Sequence, residues 1–233
     1  YMGVELGLSV PIAWGLSLQG AVSLGDYIYT SNPEFTQMID NSATDVVHSR
    51  VNWKGMKVES TPQTAINVGL NFRGPNNWFA SVDFNYYDRL YLSMNPMYRT
   101  EYLANEIKRI YDWNNLETGR QKAYVVGIID EIRQQEDLGN AYTLSASIGK
   151  NFRIKYKYTL GFSLQVNNIL NNQRIRTGGY EQMRLNKLSD PIIFPNADGE
   201  MVITKKPTTY SRFDSKYFYM NGINYYLNIY FRF

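Results

Sequence analysis

The sequence predicts an all-β protein, an antiparallel transmembrane β-barrel with helical insertions in one long loop. Three observations carry that expectation. Seven segments alternate apolar and polar residues with a period of two, as strands with two unlike faces do. The connections between them run short, long, short, long, short, long, the asymmetry of transmembrane barrels. The apolar faces read from the alternation carry no charge, whereas Glu5, Arg73, Asp83 and Arg232 fall on the opposite faces. Arg or Lys facing lipid near the midplane costs about 2–4 kcal/mol.

Composition narrows the alternatives. The chain has 233 residues, enough for one domain with a sizeable core, and no cysteine, so neither a disulfide framework nor a thiolate metal site. A single histidine excludes a multi-histidine metal site, and no cofactor is expected. A net charge of +3 with both signs mixed gives no bias toward nucleic acid. Mean hydropathy is −0.40, and no run approaches the roughly 18 apolar residues of a membrane helix. A barrel survives that test, because half of each strand faces a polar interior. No signal peptide is visible, and Tyr1 already sits in a strand pattern, so the chain reads as trimmed or truncated.

The elements follow in order. In residues 2–10, Met2, Val4, Leu6, Leu8 and Val10 oppose Gly3, Glu5, Gly7 and Ser9; Pro11 to Trp14 reads as a turn. The second strand, 15–29, sets Leu16, Leu18, Val22 and Leu24 against Ser17, Gln19, Ala21 and Ser23. Residues 31–60 are polar and read as an irregular loop. The third strand, 63–73, presents Ile66, Val68, Leu70 and Phe72, and Gly74-Pro75-Asn76-Asn77 is a turn signal. The fourth, 78–92, presents Trp78, Ala80, Val82, Phe84 and Tyr86. In 93–139 the period changes. Leu103, Ile107, Ile110 and Tyr111, then Val125, Ile128, Ile129 and Ile132, recur at helical spacing, predicting two short helices. The fifth strand, 140–152, presents Tyr142, Leu144, Ala146 and Ile148; a tight connection from Arg153 to Tyr156 follows. The sixth, 157–170, presents Tyr158, Leu160, Phe162, Leu164 and Val166. Residues 171–216 read as a loop rich in Gly, Pro and Arg. The seventh strand ends the chain, with Ile223, Tyr225, Leu227, Ile229, Phe231 and Phe233 alternating with Asn224, Tyr226, Asn228, Tyr230 and Arg232.

A soluble β-sandwich also alternates, but its strands average about 5–6 residues, whereas these run from about 9 to about 15, each long enough for the roughly 9–11 that cross a bilayer at a tilt. Aromatics gather where interfacial girdles belong. Trp14, Phe72, Trp78, Phe152, Tyr158 and Phe233 lie near the short turns; Tyr27, Tyr29, Tyr86, Tyr91, Tyr217 and Tyr219 lie near the long loops. Single-chain bacterial barrels have an even number of strands, and seven would leave two unpaired edges in lipid. The expectation is therefore the carboxy-terminal part of a larger barrel.

Several segments resemble one family. They are Arg133-Gln134-Gln135-Glu136-Asp137-Leu138, Tyr142 through Lys150, Val166-Asn167-Asn168-Ile169-Leu170-Asn171-Asn172, Thr177-Gly178-Gly179-Tyr180-Glu181-Gln182-Met183-Arg184, and Asn221 through Leu227. Together they resemble the end of TonB-dependent outer-membrane receptors of the Bacteroidota, in the branch with a carboxypeptidase-regulatory-like amino-terminal domain that includes SusC-like and Oar-like proteins. The resemblance covers the last hundred or so residues best. It implies that these are the last seven strands of a plugged barrel of about 22 strands. It further implies import of a nutrient ligand (a glycan, peptide or chelate) coupled to TonB through the plug, and it leaves room for a surface lipoprotein partner. The carboxy terminus would be periplasmic. The ending is similar to the terminal β-signal read by the barrel-assembly machinery, carried here by Tyr225, Leu227, Ile229, Phe231 and Phe233. The plug and TonB box are not in this sequence. The competing readings are a small passive porin, a barrel enzyme, or a segment held as an assembly substrate.

Candidate chemistry is sparse. Asp45, His48 and Ser49 could form a hydrolase triad, although residues so close on a chain rarely do, and no catalytic residue is assigned. Asp130-Glu131 and Glu136-Asp137 could hold a divalent cation or simply be solvated. Gly178-Gly179-Tyr180 reads as a tight loop turn. Arg174, Arg176, Arg184, Lys187, Lys205, Lys206, Arg212 and Lys216 make the last loop basic, suited to lipopolysaccharide phosphates, an anionic ligand or water. Trp53, Tyr111, Trp113, Tyr180 and Arg184 are the loop candidates for ligand binding, as aromatics that stack on sugars or peptides and one cation.

Overall fold

One antiparallel sheet of seven strands runs through the chain as a meander. Its strands are β1 (Met2–Ala13), β2 (Leu16–Asp26), β3 (Thr64–Arg73), β4 (Trp78–Asp88), β5 (Ala141–Ile154), β6 (Tyr158–Asn167) and β7 (Asn224–Arg232). The computed structural model describes residues 1–39, 42–116, 118–155, 157–188, 192–195, 198–204 and 209–233. All seven expected strands are present. Each strand pairs with its neighbours in sequence, and β1 and β7 each have one paired edge.

The register aligns unlike faces across the whole sheet. Val10, Leu18, Leu70, Val82, Ala146, Val166 and Tyr225 stand opposite one another from β1 to β7. One residue along, Pro11, Ser17, Asn71, Ser81, Ser147, Gln165 and Tyr226 make the matching row of the other face. The apolar face is open: Leu6, Leu8, Leu70, Phe84, Ile148, Leu227 and Ile229 are all exposed. The polar face is laced by cross-strand hydrogen bonds, Asn67 Nδ2 to Asn85 Oδ1 at 2.9 Å, Ser81 Oγ with Ser147 Oγ at 2.9 Å, and Asn167 Nδ2 to Asn224 Oδ1 at 3.0 Å. A slip of one residue would exchange the faces, so this uniformity fixes the register.

Two sequence expectations need correction here. The charge-free face holds over its middle but not at its margins. Asp26 (opposite Met2) and Asp88 (opposite Thr64) share its side at the long-loop end, and Lys150 (opposite Trp78) at the short-turn end. The first turn is also shorter than Pro11–Trp14. β1 continues to Ala13 with a register shift between Pro11 and Ala13, which an edge strand tolerates because proline's missing N–H removes little pairing there. Trp14 and Gly15 alone make the turn, with φ of 48° and 83°, the positive angles that a two-residue hairpin needs. The carbonyl of Arg73 sits where a Gly15 side chain would be.

The long connections, residues 27–63, 89–140 and 168–223, all leave the same end of the sheet, and their described residues fold into a cap. The first contains a hairpin, Glu34–Ile39 paired with Ser42–Arg50, where an irregular loop was expected. The second contains the two expected helices, α1 (Glu101–Ile110) and α2 (Gly119–Arg133). The third is built from ribbons, Arg176–Tyr180 with Lys216–Tyr219, Leu185–Leu188 with Thr209–Arg212, and Ile192–Pro195 with Met201–Thr204. Thr100 caps α1 by accepting from the Leu103 N–H at 3.1 Å. Thr118 and Gln121 form a reciprocal capping box on α2. Leu103, Ile107 and Tyr111 from the first helical segment meet Val125, Ile129 and Ile132 from the second, with Tyr98, in one buried cluster. β2 and β4 end earlier than expected, at Asp26 and Asp88, so Tyr27, Tyr29 and Tyr91, like Tyr217 and Tyr219, lie in the long connections.

Candidate functional site

The cap is organised by two carboxylates. Glu181 follows the Arg176–Tyr180 strand and is 2% exposed. Its Oε1 accepts from Arg99 Nη2 and from Arg212 Nη2, each at 2.8 Å; its Oε2 accepts from the Asn95 N–H at 2.8 Å and from Arg99 Nη1. Arg99 is fully buried and also donates to the carbonyls of Asn95 and Gln134, at 3.2 and 3.1 Å. One carboxylate thus ties the turn before α1, the end of α2 and the third connection together. Four donors on a buried carboxylate and a bidentate guanidinium give the geometry in which a buried pair holds its structure.

Glu136 is a second such tie point. It accepts from Arg176 Nη1 at 2.9 Å, Ser215 Oγ at 3.0 Å and Tyr217 Oη at 2.6 Å. That hydrogen bond, with burial second, raises the Tyr217 phenol above its ordinary pKa. Beside it, Gln135 exchanges two hydrogen bonds with the backbone of Lys57, and Asp137 accepts from the Gly139 N–H at 2.8 Å. Asn168 is buried and binds the backbone of Asn172 and Asn221. Gln135, Glu136, Asn168 and Glu181, with Arg99, are therefore the cap's tie points.

The candidate ligand residues lie in different parts of the cap. Trp53 packs on Tyr29 with ring centroids 4.9 Å apart, and its indole Nε1 is buried without a hydrogen-bond partner. Tyr111 is a core residue, edge-on to Tyr124. Trp113 packs against that core with Lys108 and Lys122 Nζ 5.2 and 5.8 Å from its ring. Tyr180 is half-exposed beside Phe218. Arg184 is exposed over Phe213, and its carbonyl accepts from Tyr98 Oη at 3.0 Å. Among the described ring contacts, none joins two of these residues.

The remaining candidates resolve individually. His48 Nδ1 is 3.1 Å from Thr36 Oγ1, while Ser49, next along the strand, accepts from the Tyr102 N–H at 2.9 Å. Adjacent strand residues point to opposite faces, so His48 and Ser49 are not brought together; the Asp45 side chain lies outside the described residues. Arg176 and Arg212 of the basic loop are ion-paired within the cap. Lys205 and Lys206, and the side chain of Lys187, lie outside the described residues. Gly178-Gly179-Tyr180 is not a loop turn: it is part of a strand paired with Lys216–Tyr219, and the Lys216 carbonyl occupies the place of a Gly179 side chain. No group of three His, Asp or Glu side chains suited to a metal forms among the described residues.

Recesses lie at both ends of the polar face of the sheet. One of about 760 Å³ at the short-turn end is lined by Ser17, Gln19, Asn71, Arg73, Ser81 and Asn151 among others; one of about 380 Å³ under the cap is lined by Thr143, Ser145, Asn167, Asn168 and Asn224 among others. Both offer amide and hydroxyl groups, suited to a hydrated interior. At the other extreme of the chain, Tyr225, Leu227, Ile229, Phe231 and Phe233 stand on the exposed apolar face at one edge of the sheet. No protein family, curated protein or solved structure matches the chain.

Proposed function

We propose that these seven strands are part of the wall of an outer-membrane barrel, the carboxy-terminal strands of a TonB-dependent receptor that imports a nutrient ligand. The observation that carries the membrane reading is the continuous apolar face, uncharged in its middle and exposed on all seven strands. Soluble monomers rarely expose more than a few hundred Å² of contiguous apolar surface, whereas lipid requires it. The polar face would line the lumen against a plug. The cap would stand on the outer surface, near lipopolysaccharide and any surface lipoprotein partner, and would offer Trp53, Trp113, Tyr180 and Arg184 to ligand. Energy coupling rests on the sequence resemblance alone, and TonB would act through the amino-terminal part of the receptor.

The test has two stages. The full-length protein is expected in the outer-membrane fraction, resistant to alkaline extraction; recovery as a soluble protein would end the barrel reading. Uptake of its ligand is expected to stop when TonB is deleted. Undiminished uptake would leave a barrel and remove the energy-coupled receptor, favouring the passive porin.

A further inference from the structure

Lys150 is out of keeping with its surroundings. It lies on the apolar face, in register between Trp78 of β4 and Phe162 of β6, with Ile229 of β7 next in the row. Its Nζ is 4.7 Å from the Trp78 ring centroid and 4.9 Å from that of Phe152. Phe162 closes the group, edge-on to Trp78 at 6.1 Å and stacked on Phe152 at 6.2 Å. Among the described residues no carboxylate pairs with Lys150. Nearby along the same rim, Lys157 lies 5.4 Å over Tyr158, which stacks on Phe231. The cations therefore sit at the short-turn margin of the apolar face, each against aromatic rings.

Aromatic faces attract an ammonium without neutralising it. A lysine at the edge of a lipid-facing surface directs its charge to the headgroup level. The anion available there is a phosphodiester. We propose that Lys150, held by Trp78, Phe152 and Phe162, is a binding site for the headgroup phosphate of an anionic glycerophospholipid in the leaflet at the short-turn end, with Lys157 as a second cation on the same rim. The acyl chains would lie over the apolar face away from the margin, toward Ile148 and Leu164 in the next row. This rests on the barrel reading.

The experiment uses the full-length receptor purified in mild detergent. Native mass spectrometry would count retained lipid after titration with phosphatidylglycerol or phosphatidylcholine. The wild type is expected to prefer phosphatidylglycerol. Lys150→Gln should weaken that retention about fivefold, and Lys150→Arg should preserve it. Equal retention of both lipids by the wild type, or unchanged phosphatidylglycerol retention in a folded Lys150→Gln protein, would overturn the site while leaving the barrel intact. Should Lys150→Gln fail to fold, the wild-type preference and Lys150→Arg decide. A receptor absent from the membrane fraction would remove the barrel reading and the site with it.

Discussion

The sheet and its cap place apolar residues in opposite ways. Every buried hydrophobic side chain described, from Val51 and Leu92 to Leu138 and Ile175, lies in the three long connections, none in the seven strands. The strands instead leave Leu, Val, Ile and Phe exposed on one face, and the other face is mostly Ser, Asn, Gln and Gly. The cap has its own buried interior: an apolar cluster between two helices, capped helix ends and a buried ion pair with four donors on its acid. The sheet leaves its apolar face exposed. The two regions therefore treat apolar surface differently, and they should respond differently to the same insult.

The largest contrast is expected from Glu181→Ala. It leaves Arg99, which is fully buried, without its counter-charge, at about 3–5 kcal/mol. Hydrogen exchange should show α1, α2 and the ribbons of the third connection losing protection while β3 to β6 keep theirs. Equal loss in both would mean that cap and sheet unfold as one, and the contrast between them would be false. The converse insult is Val82→Arg, at the centre of the apolar face in β4. In a bilayer it should cost about 2–4 kcal/mol, read from refolding into phosphatidylcholine vesicles, with cap protection unchanged. Refolding as stable as wild type would mean that this face does not meet lipid.

The same contrast explains what could be read from the residues. The sheet was legible because each strand keeps one uniform face over many residues, from Leu16 to Leu24 or Tyr158 to Val166. The helices were legible through Leu103, Ile107 and Tyr111, spaced to meet a core. The hairpin Glu34–Ile39 with Ser42–Arg50 was not, because neither face is uniformly apolar and Thr36 opposite His48 resembles any polar loop. The ribbons of the third connection are only four or five residues long, too short for a period. Lys150 escaped because the alternation was read only as far as Ile148. The tie points were invisible for another reason. Arg99 and Glu181 are 82 residues apart, and no local pattern marks an arginine that will be buried.

Smaller effects sharpen the picture within the cap. Thr118→Ala removes the capping box of α2 and should cost about 1 kcal/mol, with faster exchange confined to the first turn after Thr118. Tyr29 gives a pH-dependent probe. Burial first, and then the Glu59 carboxylate that accepts its hydroxyl proton at 2.9 Å, push its pKa from 10.0 up to about 12. A raised folded pKa means the folded state holds the proton longer. The contribution of the neutral phenol is thus complete below about pH 10 and lost as pH rises through about 12. Tyrosinate absorbance should therefore contain a late-titrating component that Glu59→Gln moves only part of the way back, because burial is the larger cause. A full return to the ordinary tyrosine value in that variant would mean that Tyr29 is not packed on Trp53 in solution, and that this corner of the cap is looser than its core.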